Sequence, residues 1–296
     1  MLSAMREWMQ PPAGMAFDFS QPAGEAALAP HDGIAWQLFA NPVSLFVGGA
    51  TAVLLELAEP SVRSGVWDHS SFQRDPGTRL RRTGFAALMT VYGPRSAAEE
   101  MIARVVRMHE RVEGVTPDGV AYRANDPRLL DWVQATASFG FTEAYHRYVR
   151  PLSDAEKNAA FAEAGPAARL YGALGAPRSW REWEAMLANT APGLEGSAIL
   201  ADFMRIMGQA QLLPDALPVS LRPLQRLLVR AAVQIVPEPV RSLPQLRGRG
   251  LRFGEAALVR ALAYGAALAP LGDTPQVQAA RRVAGHRARR TPSKNN

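Results

Sequence analysis

The sequence predicts an all-α protein: one globular multi-helix domain over residues 1–273 and a basic, disordered tail over residues 274–296. Apolar residues recur at spacings of three and four, while the alternating apolar and polar runs of strands are hard to find. Helix-start signals recur along the chain, either a capping residue before Pro or a Ser followed three residues later by Glu. No internal repeat or low-complexity linker divides the 296 residues, of which 48% are hydrophobic and 20% charged. That balance belongs to a globular domain rather than to a disordered or fibrous chain.

Residues 1–19 carry Arg6 but then Glu7 and Pro11-Pro12, without the apolar stretch of a secretory signal, so a cytoplasmic protein is expected. Residues 42–58 read as a first long helix. Their apolar run is interrupted by Gly48-Gly49 and Glu56 and is shorter than the roughly 20 residues a bilayer span needs, which argues for a buried core helix and no transmembrane segment. Gly48-Gly49 would let another helix or a flat ligand approach closely. A loop through Pro60, Gly65, Asp68 and Pro76-Gly77 then leads to a helix over 79–92.

Ser96-Ala97-Ala98-Glu99 has the form of a capping box, from which a helix should run through the apolar stripe Met101, Ile102, Val105, Met108, His109 and Val112 and end at Gly114. Thr116-Pro117-Asp118-Gly119 is a turn. Asp126-Pro127 starts a helix through Leu129, Leu130, Trp132 and Val133 toward Tyr145, and Ser153 with Glu156 caps the next. Further helices are expected at 180–189, 197–211, 221–235 and 254–267, with Pro214, Pro218, Pro237 and Pro239 keeping the elements of the last third short.

The chain carries a formal net charge of +6. Arg281, Arg282, Arg287, Arg289, Arg290 and Lys294 account for all of it, and no acid stands among residues 281–296. The body is therefore formally neutral, so the basic balance does not imply a specific nucleic-acid partner. The tail offers at most weak contact with acidic surfaces.

There is no cysteine, which excludes disulfides, thiolate metal sites, iron–sulfur clusters, covalent c-type heme and a cysteine nucleophile. The five histidines are His31, His69, His109, His146 and His286. His109 lies on or beside a buried helical stripe and has two readings: a core histidine bonded to a carbonyl, or the single axial ligand of a heme. Arg79, Arg82, Thr83 and Ala86 share one helical face, either an ordinary basic surface or a pair of guanidinium groups aimed at a carboxylate or propionate. His69 beside Asp68 is either a loop cap or an acid/base pair. No phosphate-binding loop, zinc-protease motif, nucleophile elbow, calcium loop or dinucleotide fingerprint is present.

Taken in order, Gly48-Gly49 through Leu54-Leu55, Glu59-Pro60, Gly65-Val66, Asp68-His69-Ser70, Phe72, Arg79 with Arg82-Thr83, Gly93, Val106-Arg107-Met108-His109, Gly114, Tyr122, Ala124-Asn125-Asp126-Pro127, Trp132-Val133, Tyr148 and Arg150-Pro151-Leu152-Ser153 form one pattern. It resembles the catalytic domain of the MpaB-type oxygenases and latex clearing proteins, the rubber oxygenases. The resemblance covers roughly residues 40–240. It implies an all-α, globin-reminiscent core that binds heme b non-covalently, with His109 as the axial iron ligand. Arg79, Arg82 and Thr83 match the family's distal-side pattern, with Arg82 standing where rubber oxygenases carry lysine. Arg79, Arg82 and Arg107 would then contact the cofactor, and His69 would help close the site. Glu56 and Glu59 are the carboxylates nearest in sequence to the family's proposed base. The expectation is a heme b-dependent oxygenase that uses dioxygen on a hydrophobic small-molecule substrate, isoprenoids among the candidates. The alternative is a non-catalytic heme- or lipid-binding helical protein.

Overall fold

The computed structural model describes residues 16–209, 222–269 and 272–290. The described residues are all-α, as expected: thirteen α-helices and one two-stranded hairpin. The helices are α1 (Ile34–Leu38), α2 (Pro42–Glu56), α3 (Pro60–His69), α4 (Pro76–Tyr92), α5 (Arg95–His109), α6 (Pro127–Tyr148), α7 (Asp154–Tyr171), α8 (Trp180–Thr190), α9 (Ala198–Gln209), α10 (Arg222–Ile235), α11 (Glu238–Arg241), α12 (Glu255–Leu268) and α13 (Pro275–Arg290). Strands β1 (Glu113–Val115) and β2 (Ala121–Arg123) pair antiparallel between α5 and α6. Among the described residues no single helix is long and apolar enough to cross a membrane.

Five of the described helices start on one device, a polar cap residue followed by Pro at the first helical position. The side chains of Asn41, Glu59, Asp75, Asp126 and Thr274 accept from first-turn amides of α2, α3, α4, α6 and α13, while the Pro that follows has no N–H to leave unpaired. At α7 the expected capping box forms in both directions, with Glu156 N donating to Ser153 Oγ at 3.2 Å and Ser153 N donating to Glu156 Oε2 at 2.9 Å.

The structure corrects four expectations. Residues 60–69 are helix, not loop, because Glu59-Pro60 uses the same device as Asp126-Pro127. The capping box expected at Ser96 does not form. The Ser96 amide and hydroxyl both donate to Glu25, at 2.6 and 3.1 Å, and the helix starts two residues earlier, capped by Pro94 instead of Ser96. That helix ends at His109 rather than Gly114, which lies in β1. Residues 275–290, assigned by composition to a disordered tail, form α13. The Arg282 side chain, 1% exposed, donates from Nε to Glu25 O, from Nη1 to Phe19 O and from Nη2 to Tyr92 O, at 2.8, 2.6 and 2.7 Å. A buried guanidinium is tolerated when carbonyls accept its N–H groups, and here one of them is the last carbonyl of α4. Residues 291–296, Pro214 and Pro218 lie outside the described residues.

Helix α2 packs along α6 more extensively than along any other element. A Cβ on Gly48 would lie 2.8 Å from Gly140 O and from Phe141 Cα, and one on Gly140 only 2.4 Å from Gly48 O. Only two glycines permit that approach, so the pair opens the way to a helix rather than to a flat ligand. The helices run antiparallel from this crossing, and Trp132 Nε1 donates to Leu55 O two turns away. Around them α9, α10 and α12 close the main core, where the Phe139 and Trp183 rings stack at 4.8 Å and those of Trp132 and Trp183 at 5.8 Å. A second core joins Phe19 and Trp36 to Phe85, Tyr92, Met101 and Ile102 of α4 and α5 and to Ala279 of α13.

Gly140→Ala should therefore destabilise the fold by about 1–3 kcal/mol or more, since the added methyl meets backbone that cannot rotate away. Gly84→Ala, where a Cβ meets nothing within 4 Å, should be neutral or gain several tenths of a kcal/mol. Urea melts of the two variants check the contrast.

Candidate functional site

Three helix ends converge away from the glycine crossing. Glu56 is the last residue of α2, Arg79 lies in the first turn of α4, and His109 is the last residue of α5. Arg79 is electrostatically coupled to both others. Its Nη1 donates to Thr83 Oγ1 at 2.6 Å, and Thr83 Oγ1 donates to Arg79 O at 3.0 Å, which fixes the guanidinium one turn down its own helix.

Glu56 is surrounded by protein, yet it keeps some accessible surface, and Arg79 does the same. At Gly84, half-buried one residue after Thr83, nothing lies within 4 Å of where a side chain would begin. Burial pushes the Glu56 carboxyl up to about 7, against the opposing pull of Arg79 and of Thr136 on α6. Burial lowers the pKa of Arg79, with Glu56 partly offsetting it. Burial, and then the Arg79 charge, hold the His109 imidazole below its ordinary value, so the ring is neutral at physiological pH. A neutral imidazole offers a lone pair to a metal or a proton acceptor to a substrate.

His109 Nδ1 is buried without a hydrogen-bond partner. Asn125 Oδ1 is likewise buried and unpartnered, although Asn125 Nδ2 donates to Val106 O at 3.2 Å, one turn before His109. Buried polar atoms are seldom left unpaired, so two of them at the end of α5, one on the helix and one on the turn before α6, mark a place where packing alone does not explain the residues.

Of the residues singled out in the sequence, the structure brings together Arg79, Thr83 and His109. Arg82 and Thr83 are exposed beside them on α4, and Arg107 is exposed on the last turn of α5. His69 stands elsewhere, exposed at the end of α3, where its Nε2 is 3.2 Å from Tyr122 Oη on β2. The two carboxylate candidates separate cleanly. Glu59 is occupied as the cap of α3, accepting from Val62 N at 2.7 Å and from Arg128 Nη1 at 3.0 Å. Glu56 is left to Arg79 and Thr136. Sequence reasoning named it only as a neighbour of the pattern, and the available signal was a carboxylate at the end of an otherwise apolar helix. Among the described residues no three His, Asp or Glu side chains converge as a metal-ligand set.

Residues 36–268 match the family of the ER-bound oxygenases mpaB and mpaB′ and the rubber oxygenases, over the catalytic domain. Two uncharacterized proteins, one of Mycobacterium bovis and one of Mycobacterium tuberculosis, are each 29% identical over 119 residues, 39% of this chain and 47% of theirs. The matched part thus spans about half the length of these relatives. No solved structure matches the chain.

The raised Glu56 carboxyl makes a stability prediction. Its folded pKa of about 7 exceeds the ordinary 4.5, so between these values the folded state binds the extra proton and stability falls as pH rises. Relative to Glu56→Gln, the native protein should lose about 3 kcal/mol at most across that window, from the shift of about 2.5 units at 1.36 kcal/mol each. Urea unfolding at pH 4.5, 6 and 8 measures it. Parallel curves for the two proteins would contradict the reading.

Proposed function

The chain belongs to the mpaB and rubber-oxygenase catalytic-domain family, and from that membership we propose that it is a heme b-dependent oxygenase acting with dioxygen on a hydrophobic small molecule, an isoprenoid in the first instance. The observation that carries the proposal is His109: a neutral, half-buried imidazole with an unpartnered Nδ1, at a helix end beside an enclosed Arg79 and a proton-holding Glu56.

These residues fit the group. One imidazole suffices as axial ligand for a porphyrin-held iron, so a single histidine can do what no cluster of His, Asp and Glu here does. His109 would ligate through Nε2 and leave Nδ1–H to an acceptor, for which Asn125 Oδ1, also unpartnered and held against the last turn of α5 through Val106 O, is of the right kind. Arg79, with its side chain fixed by Thr83, and the exposed Arg82 and Arg107 would receive the propionate carboxylates, which a guanidinium pairs bidentately. When bound, the group supplies the activation of dioxygen that the protein's own side chains lack.

The remaining work falls to Glu56 and Arg79. With its pKa near 7, Glu56 holds a proton in about half of the molecules at neutrality, so it can accept one from the substrate or return one to it without a large energetic step. The Arg79 charge beside it stabilises the carboxylate when that proton leaves.

Reconstitution with hemin should give about one heme per chain. The loaded protein with a reductant should then consume oxygen in the presence of a polyisoprenoid and yield carbonyl-ended products. Glu56→Gln should bind the same heme but turn over about 100-fold more slowly, a typical loss for a missing acid/base group. Stoichiometric heme without oxygen uptake on any isoprenoid would leave a heme-binding protein and overturn the catalytic half of the proposal.

A further inference from the structure

Helix α12 is apolar on two faces, and the described residues cover only one. At 100° per residue, Val259, Ala263 and Ala266 lie on one side and are fully buried against the main core. Ala257, Leu258, Ala261, Tyr264, Gly265 and Leu268 lie on the other side within an arc of about 120°, and all are exposed. Leu258 is 57% exposed, Tyr264 and Leu268 67% each, and Phe253, just before the helix, is completely exposed. A surface helix ordinarily turns charge to the water. A continuous apolar stripe of this kind marks a surface that meets something other than water.

Its surroundings state what. Arg247, Arg249 and Arg252 precede the helix, Arg260 flanks the stripe, and all four are exposed. The one acid between residues 243 and 268 is Glu255, already taken by Arg230, whose Nη2 and Nε donate at 2.5 and 3.0 Å, and by the Arg252 amide at 2.8 Å. Residues 243–268 therefore present apolar and aromatic side chains with a cationic border and contribute no free carboxylate of their own. A second copy of the chain, docked about a two-fold axis, would bring these arginines against themselves. An anionic bilayer satisfies both parts, since apolar side chains enter the acyl boundary while guanidinium groups meet phosphates.

We propose that Phe253 and the outer face of α12 form a docking surface for anionic phospholipid membranes. Asn41, the cap that starts α2, donates from Nδ2 to Ala263 O at 2.8 Å, so α12 lies at the opposite end of α2 from Glu56. At about 1.5 Å per residue the two ends of that helix are roughly 20 Å apart. The docked protein thus keeps its site away from the lipid. This inference stands independently of the heme reading.

The full chain, sedimented with vesicles of phosphatidylcholine alone or mixed with phosphatidylglycerol, should partition onto the mixed vesicles and be released by salt. Phe253→Ser combined with Tyr264→Ser should weaken partitioning about tenfold or more, and Arg249→Glu with Arg252→Glu should do the same. All four side chains are exposed, so the thermal melts of both variants should match that of the parent. Neutralising Arg287, Arg289 and Arg290 to Gln should leave most of the binding. Three results would overturn the proposal: no preference for anionic vesicles, binding that follows the three tail arginines instead, or a dimer in light scattering that Phe253→Ser dissolves while vesicles capture nothing.

Discussion

The contact between Gly48 and Gly140 sets the geometry of this protein. Two helix backbones meet where neither has a side chain, close enough that a methyl group on either would overlap the carbonyl of the other. The approach settles which residues of α2 and α6 face one another, from the Trp132 indole on Leu55 O to the pairing of Glu56 with Thr136. A wider crossing would let water reach the end of α2, and the Glu56 carboxyl would return toward its ordinary pKa. Aromatic packing of Trp132, Phe139 and Trp183 then holds α8 against α6, and α9, α10 and α12 complete the layer.

A single guanidinium organises the charge at the site. Arg79 is enclosed, with the Glu56 carboxyl, the His109 imidazole and the exposed Arg82 as its electrostatic neighbours. Burial first and the cation second keep the imidazole neutral, and the same cation moderates the rise of the carboxyl. That arrangement limits the desolvation cost of burying ionisable groups while leaving a lone pair and a titratable proton side by side. The helix that carries Arg79 is tied at its other end by Arg282, which accounts for a basic helix folding back onto the body instead of extending into solvent.

Sequence and structure part where distant chain meets. The starts of α2, α6 and α7 were readable because Asn41-Pro42, Asp126-Pro127 and Ser153 with Glu156 cap their helices from within a few residues. Glu59-Pro60 carried the same local signal and was misread because Pro and Gly in the following stretch resemble a loop. Ser96 looked like a cap, yet Glu25, 71 residues away, competes for its amide. Helix α13 carries the local Thr274-Pro275 start, but the burial that holds it to the body rests on carbonyls 190 to 263 residues away from Arg282. At the site, helical spacing put Arg79 with Thr83 and marked His109 as inward. It could not choose between Glu56 and Glu59, since only the fold shows Glu59 capping a helix and paired with Arg128 and Glu56 beside Arg79 and Thr136. For His69, by sequence either a loop cap or an acid/base residue, the fold supplies a tyrosine on the hairpin as neighbour.

The visible spectrum of hemin-loaded protein beside a His109→Gly variant, with and without added imidazole, addresses His109 most directly. If His109 is the axial ligand, the native Soret band collapses or moves in the variant, and imidazole diffusing into the vacated space restores it. An unchanged band in His109→Gly would show that heme binds without this residue and would remove the helix-end cluster as the seat of the chemistry.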